Sequence, residues 1–441
     1  MDDMAGTRSP DAQLVLSGAQ SQVRPKVIFA ACVGTLIEFY DFTVYGYLAV
    51  AMGRLFFPSG DSAAATLSAL AVFAIAFFVR PIGGLIFGHL GDRFGRRNVL
   101  SATILLMGVS TTAIGVLPTY AMIGIGATIL VVVARMIQGA AAGGELGGAL
   151  TFIAESVPPR KRAFLTSFTQ FGSHGSAALG AIVVAIVTSS VTQAQLMSWA
   201  WRLPLLIALP MAAIGLVIRT KLADTPEFTT LREDGRVEKS PIRQTVREGR
   251  SVLFRIWGLI TLQTMSGYFC ITFLYIYFSQ YLGFSARSAY WATVVEILIG
   301  ISTLPLFGWL SDRWGRKPFL RAGAIGWLVL VYPMLALMGM GNYPLAIVCA
   351  VVLFTLNCAY APSAFAVVTE LLPTRFRYTG AALGINVPLA LFGGSAPYAS
   401  AWLIEHTGSS RSPAFMIGAA AILSLFTTTK IKETAGGALT G

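Results

Sequence analysis

The sequence predicts an all-α integral membrane protein with twelve transmembrane helices in two six-helix bundles. The composition is the first reason: 55% of the 441 residues are apolar and only 12% are charged, whereas soluble proteins carry about 25% charged residues. The second is that apolar runs of about 20 residues, long enough to cross the hydrocarbon core as helices, recur along almost the whole chain. The third is a polar decapeptide that occurs twice, GHLGDRFGRR at 88–97 and GWLSDRWGRK at 308–317.

Six spans are expected on each side of one long polar stretch. They cover 26–52, 64–88, 98–117, 121–152, 163–189 and 200–219, then 255–282, 287–309, 319–340, 343–368, 379–403 and 413–430. The expected organisation is a tail at 1–24, a bundle at 25–219, a linker at 220–254, a second bundle at 255–431 and a tail at 432–441. The acidic first residues are not followed by an apolar core, so no cleavable signal is expected.

The net charge of +12 is distributed over short loops between the apolar runs. Lys and Arg concentrate in alternate loops, and positive loops stay in the cytoplasm. Both termini and the 220–254 segment are therefore expected on the cytoplasmic side. Nucleic-acid binding would need one continuous basic face, so it is not expected. The four cysteines lie within apolar runs and imply no disulfide framework.

The repeated decapeptide has a companion repeat later in each half. The first copies start at 88 and 155 and the second at 308 and 370, giving offsets of 308 − 88 = 220 and 370 − 155 = 215. The later pair reads ESVPPRKRA at 155–163 and ELLPTRFRY at 370–378. Two echoes in the same order indicate bundles related by parallel repetition, an arrangement that supports alternating access to a site between them.

These motifs resemble the major facilitator superfamily. The decapeptide is similar to its signature loop, and RMIQGAAAGGE at 135–145 is similar to its Arg-x-x-x-Gly helix motif. Within the superfamily the chain looks most like the bacterial metabolite:proton symporters, which take up citrate, α-ketoglutarate, shikimate or proline and betaine. The stretches that carry this likeness are GTLIEFYDFTVYG, FFVRPIGGLIFGHLGDRFGRR, RMIQGAAAGGELGGALTFIAE, WAWRLPLLIALP and DTPEF. The resemblance implies a multi-pass protein of the bacterial cytoplasmic (inner) membrane that is not an enzyme.

The same resemblance implies that the repeated loops form a gate at the cytoplasmic face. The alternative is that their charges serve only to orient the helices. A first set of expected gating residues is Gly88, Asp92, Arg93, Gly95, Arg96, Arg97 and Glu155. The second set is Asp312, Arg313, Gly315, Arg316 and Glu370, with Gly308 and Lys317 completing the second signature.

Three polar residues in the first span, Glu38, Asp41 and Tyr45, share one helical face because they lie three and four residues apart. Two nearby carboxylates in a dry cavity cannot both ionise cheaply. Glu38 and Asp41 are therefore candidate proton carriers and Tyr45 a candidate substrate ligand. The alternative is a hydrogen-bond cluster that fixes the first span.

Two arginines lie deep in apolar runs, Arg80 in the second span and Arg135 in the fourth. A guanidinium stays charged and fits a carboxylate bidentately, so both are candidate substrate anchors. Internal ion pairs are the alternative. Gln138 and Glu145 share the stripe of Arg135; Gln138 is a candidate substrate ligand and Glu145 a candidate proton-coupling residue.

His174 and Gln170 face one way in the fifth span, as a candidate proton-coupling residue and a candidate substrate ligand. The second half contributes neutral polar side chains, each of which could instead bond between helices. These candidate substrate ligands are Gln263, Tyr268, Asn357, Tyr360, Asn386 and Tyr398. Charges in one half and neutral donors in the other favour an anionic polar solute. For Glu296, in the eighth span, the sequence leaves open a vestibule lining or a local hydrogen bond.

The expected function is therefore proton-coupled import of a small polar organic acid, either a di- or tricarboxylate such as citrate or α-ketoglutarate, or a shikimate-like acid. The alternative is proton-coupled uptake of a zwitterionic osmolyte (proline or betaine), and a proton-driven drug exporter is less favoured. No phosphate-binding loop is present, so ATP is not the expected energy source. No cofactor and no metal site are expected. The expected partners are the substrate, protons and the lipid bilayer, around a monomer.

Overall fold

The computed structural model describes residues 25–57, 61–94, 96–143, 154, 157–221, 241–373 and 377–437. Helices dominate them, and we number the long ones α1 to α12. The first six are α1 (Pro25–Tyr47, continued by Ala49–Phe56), α2 (Ser62–Phe94), α3 (Arg96–Val116), α4 (Tyr120–Ile123 and Ile125–Ala142), α5 (Arg162–Ser190) and α6 (Leu203–Leu206 and Ala208–Lys221). The second six are α7 (Pro241–Tyr281), α8 (Ala286–Trp314), α9 (Arg316–Met338), α10 (Tyr343–Leu371), α11 (Arg377–Thr407) and α12 (Pro413–Thr429).

The all-α membrane architecture is confirmed. Within the described ranges, nine helices are long and apolar enough to span a membrane, and Ser101–Val116 and Pro413–Thr429 are shorter apolar helices. With α1 they account for the expected twelve spans. Large apolar side chains such as Met122 and Phe415 are 70% and 72% exposed on the outer surface, as expected of side chains that face lipid. Each half packs as a bundle, with α1 on α5 and α2 on α4, then α8 on α10 and α7 on α11 and α12.

The boundaries differ from expectation mainly at α7. This helix begins at Pro241, inside the segment expected as a linker, rather than at 255. Proline suits a first helical position because its missing N–H would have no helical partner there. Residues 222–240 lie outside the described ranges, as do 144–153, where the fourth span was expected to end.

Close helix contact in the first bundle depends on two glycines of α4. A Cβ on Gly139 would lie 2.0 Å from the Ala76 carbonyl oxygen, and one on Gly143 would lie 1.9 Å from that of Arg80. Any side chain would therefore push α4 away from α2. This tight packing brings Arg80 and Arg135 to the same part of the bundle.

The two bundles contact each other along α5–α8 and α2–α11. Two helices of the second bundle contain π-helical turns. These turns are Phe269–Phe273 and Tyr277–Tyr281 in α7 and Leu389–Gly393 in α11. Such turns alter the direction of a helix and are frequent at functional sites. Just after the turn in α11, Gly394 lies so close to α2 that a Cβ would be 2.4 Å from the Phe77 ring.

Candidate functional site

Two buried arginines share one aromatic ring at the centre of the first bundle. Arg80 of α2 is 1% exposed and Arg135 of α4 is 0% exposed. Their guanidinium carbons lie 4.8 Å and 5.3 Å from the centroid of the Phe42 ring of α1. Contacts of this kind stabilise a cation by about 0.5–2 kcal/mol, more when water is excluded.

Further rings complete this cluster around the arginines. Arg80 also lies 5.4 Å from Phe39 and 5.6 Å from Phe77, while Arg135 lies 4.4 Å from Tyr45 and 5.4 Å from Phe73. The second bundle supplies Tyr268 of α7, whose ring centroid is 5.1 Å from that of Phe77 and 6.1 Å from that of Phe73. We call Phe39, Phe42, Tyr45, Phe73, Phe77 and Tyr268 the aromatic cluster. It spans the interface between the bundles.

Arg135 is held by neighbours that leave part of its fork available. It donates to the Gln138 side-chain oxygen and, over 3.3 Å, to the Phe73 carbonyl oxygen. Gln138 in turn donates to the Thr111 hydroxyl of α3. The Nε of Arg135 has no hydrogen-bond partner among the described residues. A guanidinium has five N–H donors, so an oxygen of a bound molecule can still accept a hydrogen bond from this Nε.

Asp41 of the first span is 4% exposed. It lines a small crevice with Ile104 and Met107 of α3 and Ala212 of α6. Its carboxyl also lies within electrostatic range of Arg135. The side chain of Glu38 and the whole of Glu145 are outside the described part of the structure, so only Asp41 and Tyr45 of the first-span candidates are placed beside the arginines.

The candidates on α5 lie elsewhere. His174 is buried, and its ring meets Phe354 of α10 edge-on at a centroid distance of 5.4 Å. Its Nε2 has no hydrogen-bond partner among the described residues. Gln170 is buried one turn away on α5. This pair occupies the contact between α5 and the second bundle rather than the aromatic cluster.

Most of the neutral candidates in the second bundle bond to one another. Asn357 accepts from Gln263 over 3.2 Å and donates to the Ser266 hydroxyl over 2.9 Å. Tyr360 donates to the Leu259 carbonyl oxygen over 3.1 Å and shares a 2.7 Å hydrogen bond with Ser424 of α12. These contacts join helices within the bundle. Asn386 of α11 is buried with its side-chain oxygen unpartnered among the described residues, Tyr398 is half-buried, and Tyr268 alone of the set joins the aromatic cluster.

At one end of the molecule, which we call the basic end, α8 joins the start of α5. The Asp312 carboxylate accepts from the backbone N–H groups of Ala163 and Phe164, over 3.0 Å and 2.8 Å. The first N–H groups of a helix have no helical partner and favour a negative charge. Asp312 of the second bundle therefore caps a helix of the first. Gly308, one turn earlier, allows the approach, because a Cβ there would lie 2.8 Å from the Ala163 carbonyl oxygen.

A buried ion-pair network reinforces this contact. Glu370 of α10 pairs with Arg162 of α5 over 3.2 Å and with Arg316 of α9 over 3.0 Å, and Arg316 also pairs with Asp312 over 2.7 Å. Arg313 and Gly315 belong to the same turn, where Gly315 adopts a φ of 103° that favours glycine. Of the first gating set, Gly95 and Glu155, and the side chains of Asp92, Arg93, Arg96 and Arg97, lie outside the described part.

The chain after α12 returns to this network. Glu433 accepts from the backbone N–H groups of Arg316 and Lys317 over 2.8 Å and 3.1 Å, and Thr434 donates to Glu370. Burial by itself would raise the pKa of the Glu433 carboxyl, but the backbone N–H groups that it accepts from hold that pKa below its ordinary value. The carboxylate is therefore the form that this contact favours.

The sequence repeat reappears in hydrogen bonding. Arg162 donates from Nε to the Ala154 carbonyl oxygen, and Arg377 donates from Nε to that of Thr369. Both donors and both acceptors are separated by the offset found in the sequence, 377 − 162 = 369 − 154 = 215. The two bundles thus repeat a contact as well as a motif.

The bundles also meet at the opposite end of the molecule. Tyr290 of α8 donates to the Tyr47 carbonyl oxygen of α1 over 2.7 Å, and its ring stacks on Tyr275 of α7 at 4.3 Å. Trp291 donates to the Ser189 hydroxyl of α5 over 3.3 Å. Together with the contacts at the basic end, these join the two bundles on both sides of the aromatic cluster.

The sequence did not single out most of the rings around the arginines, nor Tyr47 and Tyr290 at the opposite end. A signal for the rings was present, because Phe73 and Phe77 lie seven and three residues before Arg80, on its helical face. No comparable signal marked Glu433, since its contacts join residues more than 110 positions apart in the sequence.

Comparison with known proteins gives consistent results. The family model described as "Sugar (and other) transporter" matches residues 27–441. A proline/betaine transporter of Escherichia coli strain K12 is 36% identical over 94% of this chain and 85% of its own length. The glycine betaine/proline/ectoine/pipecolic acid transporter OusA of Dickeya dadantii has the same identity and coverage, and the inner membrane metabolite transport protein YhjE of Escherichia coli is 36% identical over 87% of this chain.

Among solved structures, the proton:xylose symporter XylE, a major facilitator superfamily protein bound to 6-bromo-6-deoxy-D-glucose, superimposes with a TM-score of 0.75. The superposition covers 96% of this chain and 98% of the XylE chain, and the two sequences are 18% identical. A D-xylose-proton symporter gives a TM-score of 0.72 at 22% identity. At these identities the likeness establishes the fold alone.

Proposed function

Because the chain belongs to the sugar (and other) transporter family, within the major facilitator superfamily, and is therefore a multi-pass transporter of the bacterial inner membrane, we propose that it imports a zwitterionic osmolyte of the proline and betaine class together with protons. This was the alternative drawn from the sequence. The organic acid expected first has no specific support from the relatives, three of which are named for proline, betaine or ectoine.

The observation that carries the proposal is the pairing of Arg135 with the aromatic cluster. A betaine presents a carboxylate at one end and a quaternary ammonium at the other. The Arg135 fork, with its Nε unpartnered among the described residues, suits the carboxylate. Aromatic faces suit quaternary ammonium groups, and Phe42, Phe73 and Tyr268 supply them from three helices.

Charge also favours a zwitterion over citrate at this site. A tricarboxylate would bring up to three negative charges to a site in which the described cations are Arg80 and Arg135. A zwitterion adds no net charge. Each coupled proton then moves one positive charge into the cell, and the membrane potential contributes about 2.3 kcal/mol per charge per 100 mV. Asp41, beside Arg135, is the proposed proton carrier, with Glu38 as its partner.

We further propose that the basic end faces the cytoplasm and acts as the inner gate. Loops rich in Lys and Arg remain in the cytoplasm, which puts both termini on that side. The cap that Asp312 places on α5 and the network around Glu370 hold this end closed. Opening it requires these contacts to break, so the same contacts set the preference between inward and outward access. The division into two bundles, at 25–219 and at 255–431 with its first helix beginning at Pro241, and a monomeric state belong to this proposal.

The test is uptake into proteoliposomes with an imposed pH gradient, inside alkaline. We expect accumulation of labelled proline or glycine betaine, abolished by a protonophore, and no accumulation of citrate, α-ketoglutarate or shikimate. A matched pair of variants, Phe73→Leu in the cluster and Phe415→Leu on the outer surface, separates the site from general packing: only the first should lower uptake. Accumulation of a carboxylate acid instead of either osmolyte would restore the organic-acid alternative.

A further inference from the structure

Glu296 is a buried carboxyl that the proposed site does not use. It lies in α8, near the middle of the helix, and is 0% exposed. Both of its carboxyl oxygens lack a hydrogen-bond partner among the described residues. A helix rises about 1.5 Å per residue, so Glu296 lies roughly 15 Å along α8 from its start at Ala286. It is therefore within the span and remote from both ends of the helix.

Such surroundings favour the neutral form of a carboxyl. An ionised side chain at the centre of a membrane helix costs about 2.5–3.5 kcal/mol even by insertion scales, and a buried anion without hydrogen bonds costs far more. No arginine, lysine or histidine forms an ion pair with Glu296 in the described part of the structure. Protonation removes this cost.

Polar but uncharged groups from both bundles surround Glu296. Its carboxyl is within electrostatic range of the Tyr47 hydroxyl of α1 and the Cys270 thiol of α7. Buried titratable side chains on the neighbouring helices include His174 of α5, Tyr275 of α7, Tyr290 of α8 itself and Cys358 of α10. None of these supplies a positive charge to hold a carboxylate when the histidine is neutral.

Two neighbouring hydroxyls show the same shortage of partners. The Tyr47 Oη and the Thr272 Oγ1 are buried and lack hydrogen-bond partners among the described residues. Thr272 packs against α1, where a Cβ on Gly46 would lie 2.8 Å from its methyl group. Polar groups from α1, α7 and α8 therefore lie at the contact between the two bundles, near the hydrogen bond from Tyr290 to Tyr47.

We propose that Glu296 is a second proton-binding site, whose protonation permits the end marked by Tyr47 and Tyr290 to close. When that end is open, water reaches the carboxylate and stabilises its charge. A hydronium ion from that side transfers one proton to a carboxylate oxygen, leaving water and a neutral carboxyl, and the dry contact can then form. This proposal rests on opening and closing of the two ends, and not on which solute is carried.

Infrared spectroscopy of the purified protein tests the protonation directly. The carbonyl stretch of a protonated carboxylic acid is separated from that of a carboxylate. In the difference spectrum between wild type and Glu296→Gln, recorded without substrate from pH 5 to pH 9, we expect a carboxylic-acid band that declines as the pH rises. Glu405→Gln removes an exposed carboxyl of α11 and is the matched control. The carboxylic-acid band should remain in the spectrum of this variant, so it should cancel in the difference between wild type and Glu405→Gln.

A distance measurement on the same samples tests the coupling to closure. Spin labels at Ser62→Cys and Arg287→Cys, both exposed and in opposite bundles, report the opening of that end in a Cys32→Ser background. One coupled proton predicts that the ratio of closed to open molecules changes up to about tenfold per pH unit. Glu296→Gln, which mimics the neutral carboxyl, should stay closed at every pH, while Glu405→Gln should follow wild type.

Either of two results would overturn the proposal. The first is the absence of the carboxylic-acid band over the whole pH range, which would show Glu296 to be ionised. The second is a spin-label distance that responds to pH in Glu296→Gln as it does in wild type. Because neither measurement contains a solute, failure here is distinct from failure of osmolyte uptake.

Discussion

At the scale of single residues, the central feature is the sharing of the Phe42 ring by two guanidiniums. Arg80 and Arg135 approach it to 4.8 Å and 5.3 Å, so one ring helps to hold both cations in a dry interior. Placing an arginine deep in a membrane helix is energetically unfavourable unless other groups interact with its charge. The rings lower that cost, and the Arg135 Nε has no hydrogen-bond partner among the described residues.

Replacing Phe42 by Leu should weaken substrate binding while preserving an apolar side chain. A lost cation–π contact in a dry site costs about 1–2 kcal/mol, which corresponds to a rise in KM for glycine betaine of roughly 5- to 30-fold. Initial uptake rates over a range of concentrations would measure it. Phe415→Leu is the control, and equal KM values in the two variants would remove the aromatic cluster from the binding site.

Arg135→Lys tests the fork rather than the charge. Lysine keeps the positive charge but cannot donate to Gln138, the Phe73 carbonyl and a substrate carboxylate in one plane. Uptake should fall by about tenfold or more. Arg202→Lys is the matched control, since Arg202 also stacks on a ring, Trp201 at 4.4 Å, but lies outside the cluster. Wild-type uptake by Arg135→Lys would mean that a point charge suffices.

At the scale of helices, the proposed inner gate is a contact between the start of α5 and the turn that joins α8 to α9. Its stability comes from a helix cap by Asp312 and from the sharing of Glu370 by Arg162 and Arg316. Removing one member of a buried ionic network costs about 3–5 kcal/mol because the other charges are left uncompensated. These helices should therefore separate together.

Glu370→Gln should shift the protein toward an open basic end. The amide cannot neutralise Arg162 and Arg316, so the closed form loses most of the advantage of its ionic network. We expect faster labelling of Ser167→Cys, a buried α5 position near the gate, by a thiol reagent in the variant than in the parent carrying Ser167→Cys alone. Glu405→Gln should label like the parent. An unchanged rate in Glu370→Gln would argue against the gating role.

The contact of Glu433 with the start of α9 should make stability depend on acid pH. Its carboxyl has a folded pKa below the ordinary value because backbone N–H groups bind the charged form. The contribution is therefore complete above the ordinary pKa of about 4.3 and is lost as the pH falls through the lower folded value. Melting temperatures of wild type and Glu433→Gln should converge as the pH is lowered through this range. Parallel curves would contradict the assignment.

At the scale of the whole molecule, the architecture could be predicted from the sequence repeat. Which side chains meet at the site could not. The duplicated decapeptide and the apolar runs predicted two six-helix bundles because each is a local signal. The depth of Arg80 and Arg135 could be read in the same way. The aromatic cluster could not, because 28 phenylalanines recur through the sequence and only the packing of α1, α2 and α7 selects the few that meet the arginines. The order of the two substrate classes depended on the same limit: two arginines indicate a carboxylate, and the rings that favour an adjoining ammonium group cannot be selected from the sequence.

The most direct test of the account is the charge that accompanies the solute. Wild-type proteoliposomes on a solid-supported membrane should give a current carrying positive charge inward when glycine betaine or proline is added, because a neutral zwitterion moves with a proton. Arg135→Lys should reduce this current, and citrate should produce none. A current evoked by citrate and absent with both osmolytes would contradict the account.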